Sequence, residues 1–110
     1  MSNFVLNKGV TNNTVVTVGE RSQLLNPYYL ISFTNKFSTD TTVCSLQASV
    51  SNDRYDLFEI TETTNPDNTS GEVLLMAGEW SYKIYESTTQ TLDPNETTGR
   101  VLQRGLIIVK

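Results

Sequence analysis

Short apolar and aromatic runs alternate with clusters of turn-forming residues along the whole chain, at intervals of roughly ten residues, and helical periodicity is weak throughout. The run Tyr28-Tyr29-Leu30-Ile31-Ser32-Phe33-Thr34 is too rich in aromatics for an exposed helix. Thr42 to Val50 alternates: Cys44, Leu46, Ala48 and Val50 share one side, while Val43, Ser45, Gln47 and Ser49 share the other. That pattern predicts a half-buried strand with the first set on the core. Further strands are expected over Thr14–Val18, Tyr55–Thr61, Glu72–Met76, Glu79–Ser87 and Arg100–Lys110. Gly105 lies inside the last of these and suggests a bulge there. One helical turn is expected over 21–26, ended by Pro27. Two long polar stretches, Thr63 to Gly71 and Thr88 to Gly99, can only be loops. About seven strands without helices predict an all-β fold, an antiparallel sandwich of two sheets.

The length of 110 residues suits one domain with its own core. Residues 1–12 read as a flexible N-terminal arm and 13–110 as the sandwich. There are 12 acidic and 8 basic side chains, a net charge of −4, and no Lys/Arg cluster, so nucleic acid is not expected as a partner. No apolar run approaches a membrane span. The start is too short and polar for a secretory signal, so a soluble chain made in the cytoplasm is expected.

Histidine is absent, which removes the commonest general base and every Ser-His or Cys-His pair. Carboxylates such as Asp53/Asp56 and Glu59/Glu62 are scattered at strand and turn spacing, and none forms a calcium loop. The single cysteine, Cys44, lies in a strand-like run and reads as a small buried filler. No enzyme activity, metal or cofactor is expected.

The sharpest local signal is Leu75-Met76-Ala77-Gly78-Glu79-Trp80-Ser81-Tyr82-Lys83-Ile84-Tyr85-Glu86. An apolar residue, a Gly three later and an aromatic two beyond predict a crossing between sheets, with Leu75, Gly78 and Trp80 forming a structural corner. In immunoglobulin-like domains the corner aromatic is a tyrosine; Trp80 takes that place here, with Tyr82 where the second disulfide cysteine would stand. The predicted fold is therefore an immunoglobulin-like sandwich. Trp80, Tyr82 and Ile84 share the core face, and Lys83 and Tyr85 the other. An exposed Tyr85 ring would be a lone platform for a sugar face, so a carbohydrate- or surface-binding module, with host-surface glycan as partner, stands as a second alternative.

Several segments in order resemble small virion proteins of tailed bacteriophages, including the crAss-like group. They are Asn26-Pro27-Tyr28-Tyr29-Leu30-Ile31-Ser32-Phe33-Thr34-Asn35, Arg54-Tyr55 leading to Phe58-Glu59-Ile60-Thr61-Glu62, Gly78 through Glu86, the Leu92-Asp93-Pro94 loop, and Val101 through Val109. The resemblance implies a structural protein of the particle, an auxiliary or decoration protein whose partner is the major capsid protein, with the virion as its location. A neck, tail or fibre adaptor is the alternative within the particle. The first twelve residues lie outside the resemblance. Because such arms often add a strand to a neighbour's open edge, Phe4-Val5-Leu6 is the expected partner-binding segment.

Overall fold

A computed structural model of the chain describes residues 4–16, 28–38, 40–47, 50–51, 56–97 and 101–110. Its strands are β1 (Phe4–Leu6), β2 (Thr11–Val16), β3 (Tyr28–Asn35), β4 (Thr41–Leu46), β5 (Val50–Ser51), β6 (Asp56–Glu62), β7 (Glu72–Val73), β8 (Gly78–Ser87) and β9 (Val101–Val109). They form one sheet in the order β1-β9-β8-β3-β4 and a second in the order β2-β6-β5, with β7 beside β6. The chain is an all-β, immunoglobulin-like sandwich: β9, β8, β3 and β4 stand in the order of strands G, F, C and C′, and β2, β6 and β5 in that of B, E and D. Most pairs are antiparallel; β1–β9 and β6–β7 are parallel.

The core follows the pleat. Tyr29, Ile31 and Phe33 from β3, Trp80, Tyr82 and Ile84 from β8, and Ile107 and Val109 from β9 face Phe58 and Ile60 of β6. The Tyr29 and Phe58 rings meet across the two sheets at 5.0 Å between centroids, tilted by 42°. Cys44 is a buried member of this core, and burial pushes its thiol up to about 12. Ser45, expected on the solvent side of β4, is buried as well, and its hydroxyl has no hydrogen-bond partner among the described residues.

Three expectations are corrected. The flexible arm is, from Phe4 onward, part of the domain. β1 extends the large sheet along β9, Leu6 is fully buried, and the Lys110 N–H donates to the Leu6 carbonyl at 2.9 Å. Phe4-Val5-Leu6 therefore completes its own sheet instead of reaching for a neighbour's. The apolar residue at the inward position of a short strand is what holds it there.

The strand expected over Glu72–Met76 ends at Val73. Beyond it the backbone of Leu75 bonds to side chains: its N–H donates to Glu62 Oε2 at 3.1 Å and its carbonyl accepts from Lys8 Nζ at 2.6 Å. With those groups taken, no ladder forms.

The irregularity in β9 falls at Leu102 and not at Gly105. Tyr82 pairs with Gly105 in regular register, whereas Ile84 pairs with Gln103 and Tyr85 with Val101. The extra residue lets adjacent Leu102 and Gln103 both be buried. Gln103 Nε2 donates to the Tyr82 hydroxyl at 2.8 Å, which satisfies both polar groups inside the core.

Between β6 and β8 the chain closes the gap beside β4. A short 3-10 turn at Asn68–Ser70 is capped by Asp67, whose carboxylate accepts from the Thr69 N–H. Asn68 Nδ2 donates to the Val43 carbonyl at 2.8 Å, and the Gly71 N–H to Ser45 O at 2.9 Å. Gly71 sits at φ 73°, and a Cβ there would meet the Glu59 carbonyl at 3.0 Å, so only glycine allows this approach. The helical turn expected over 21–26 lies outside the described residues.

Candidate interaction surface

The corner is built as follows. Leu75 is buried, Gly78 adopts φ 141°, a value that residues with a Cβ rarely take, and Trp80 folds back over the bend. Trp80 Nε1 donates to the Met76 carbonyl at 3.0 Å while its ring stays in the core. This is the bond from an aromatic to upstream backbone that a tyrosine makes in immunoglobulin domains. It fixes the path of 74–78 and therefore what that segment presents to solvent.

A second anchor holds the same end of the sandwich. Glu62, the last residue of β6, is buried and accepts from Lys8 Nζ at 2.8 Å, from the Gly9 N–H at 2.9 Å and from the Leu75 N–H at 3.1 Å. Burial alone would raise its pKa; the hydrogen bonds from Lys8, Gly9 and Leu75 and the Lys8 charge outweigh that and hold the carboxyl below its usual value. Asn12 braces the adjoining turn: its Oδ1 accepts from the Asn7 N–H at 2.8 Å and its Nδ2 donates to the carbonyls of Asn7 and Val10.

By spacing alone Glu62 is one of several scattered carboxylates. The signal that finds it is parity: Glu62 follows Phe58 and Ile60 on the inward side of β6, and a carboxylate in that position requires a partner.

Among the described residues, seven of the eight exposed large apolar side chains fall into two groups, and Leu92 in the β8–β9 loop stands apart. Register brings the first to one end of the sandwich. Asn35 pairs with Trp80, the Lys36 N–H donates to the Glu79 carbonyl, and the Glu62 N–H donates to that of Val10. The β3–β4 turn, the β1–β2 turn and the segment before β8 therefore lie together. They expose Phe37 (84%), Met76 (74%), Val10 and Leu74. The second group is on the outer face of the large sheet, where Val5, Leu106 and Ile108 point outward from β1 and β9.

Of the predicted corner, Leu75, Gly78 and Trp80 come together; the Val5 side chain of the predicted arm is exposed while Leu6 is buried. The described aromatics are mostly core: Tyr28 and Tyr85 are half-buried and Phe37 is exposed. Among the described residues no group of three or more His, Cys, Asp or Glu side chains could hold a metal ion. Among the described residues no helix is long and apolar enough to cross a membrane.

Neither protein-family models nor curated proteins nor solved structures match the chain. Two buried polar anchors fix the β1–β2 turn and the segment before β8, Asn35 Oδ1 closes the β3–β4 turn, and these loops carry large apolar side chains into water. A side chain such as Phe37 gains roughly 1.5–3 kcal/mol when covered by a partner. What the arrangement offers chemically is apolar docking.

Proposed function

We propose that the chain is a non-enzymatic structural protein of a phage particle, an auxiliary or decoration protein that binds the major capsid lattice through the end bearing Phe37 and Met76. The observation that carries this reading is the exposure of those two side chains, Met76 on the segment held by the Trp80 and Glu62 anchors and Phe37 on the β3–β4 turn, where the Phe37 and Ser38 N–H groups donate to Asn35 Oδ1. A rigidly presented apolar patch suits docking because little conformational freedom is lost on binding. The ordered resemblance of residues 26–110 to small virion proteins supplies the class of partner. Repetition of the lattice site lets a weak single contact give firm attachment by avidity. A neck or tail adaptor would use the same end on a ring of fewer sites.

The test is co-sedimentation with particles lacking the protein. The double variant Phe37→Ser, Met76→Ser is expected to bind at least tenfold more weakly, with its thermal midpoint within a few degrees of the parent, since both residues are exposed. Unchanged binding by the folded variant would remove this end from the interface.

A further inference from the structure

We infer that the outer face of the large sheet over β9 and β8 pairs with a second copy of this chain, through a two-fold axis running across the strands above Ser81 and Leu106. The face is separate from the end proposed for lattice docking, so this inference goes beyond that reading.

Lys83 of β8 lies directly across from Arg104 of β9, and both are exposed. Like charges in that relation repel. Among the described residues neither makes an ion pair within the chain, and nor does the exposed Glu79 on the same face. The face therefore carries a cation pair and a carboxylate, each without a counter-charge from the described chain.

Their placement decides the occupant. On β8, Glu79 and Lys83 flank Ser81 symmetrically; on β9, Ile108 and Arg104 flank Leu106 in the same way, because Glu79 pairs with Ile108, Ser81 with Leu106 and Lys83 with Arg104. Rotation about an axis across the strands at the Ser81–Leu106 row lays one copy face-down on the other. Each Glu79 then meets the second copy's Lys83, with its Arg104 beside it, and the Arg104 stem covers the second copy's Ile108. A surface complementary to itself in this manner is what an isologous two-fold interface requires.

The apolar elements fall where such an interface needs them. Leu106 stands on the axis, 38% exposed, with Val5 and Ile108 each at 44% along one side. Beside Leu106 is a depression of about 270 Å³ lined by Ser81, Tyr82, Lys83, Arg104, Gly105 and Leu106. The outward side chains of Ser81, Lys83, Arg104 and Leu106 rim it, and the second copy's Leu106 is placed to enter. An unrelated acidic partner would satisfy the cations and leave Glu79 with none, which is why a second copy is the better occupant.

Sedimentation velocity of the purified chain tests this, with Glu79→Lys, Lys83→Glu and the double exchange as variants. The expected result is a dimer whose dissociation constant rises at least tenfold in each single variant and returns to within threefold of the parent in the double. Thermal melts should show all three folded, since every substituted side chain is exposed. A parent chain that stays monomeric up to several hundred micromolar would overturn the inference, as would a dimer indifferent to both single exchanges or one that the double exchange does not recover. Each of those results leaves co-sedimentation through the Phe37 end to stand or fall separately.

Discussion

Glu62→Ala should lower the unfolding free energy by about 3 kcal/mol, the low end of what breaking a buried ion pair costs, because the Lys8 side chain remains 39% exposed and keeps some hydration. The substitution orphans three donors at once: Lys8 Nζ and the N–H groups of Gly9 and Leu75. Against a total of roughly 5–15 kcal/mol for a domain of this size, that is a large fraction. Urea denaturation at neutral pH measures it. The effect carries a pH signature whose sign follows from the bonding. Burial opposes ionisation of Glu62, but the hydrogen bonds from Lys8, Gly9 and Leu75 and the Lys8 charge prevail, so the folded-state pKa lies below the usual 4.5. A carboxyl lowered on folding adds stability that is complete above its unfolded value and fades as pH falls through its folded value. The stability gap between the parent and Glu62→Gln should therefore be full at neutral pH and close on acidification below 4.5. A gap constant down to strong acid would show that the carboxylate's charge is not what the anchor uses.

Trp80→Ala should cost about 4 kcal/mol and lower the thermal midpoint by on the order of 20 °C, since a ring 3% exposed leaves a cavity at the corner. Trp80→Phe separates packing from hydrogen bonding. It keeps most of the buried ring and loses the Nε1–H bond to the Met76 carbonyl, for about 1 kcal/mol. That smaller change has a local consequence. With the carbonyl released, 74–78 loses its tie to β8, so amide exchange should rise there before it rises in β3 or β9. Equal protection in parent and Trp80→Phe would mean that packing alone holds the corner.

How much of this was legible depends on which residues carried the information. The sandwich was readable because period-two alternation in β8 matches burial from Glu79 to Glu86, with Cys44 and Leu46 of β4 inward as well, and because Gly78 and Trp80 combine a backbone only glycine adopts readily with an aromatic that needs a polar partner. The first twelve residues misled because β1 is three residues long, too short for periodicity to show, and its partner β9 lies at the far end of the sequence. Local pattern cannot report a pairing between the two termini. The same limit hid the Glu62 anchor, whose partners Lys8, Gly9 and Leu75 come from three separate parts of the chain. Gly105 drew attention to the wrong place for the bulge because a glycine leaves either register open. The register shift lies beside the Tyr82–Gln103 pair, where both polar groups must be buried together. The outward positions of β8 were visible as parity, but which charges stand opposite one another is set by register and turn length.

The proposed role is that of a structural component of a phage particle. The most direct measurement is its copy number in purified particles, by quantitative mass spectrometry against the major capsid protein. A decoration role predicts hundreds of copies per particle. A dozen or so would move the protein to the neck or tail, and its absence from particles would contradict the account.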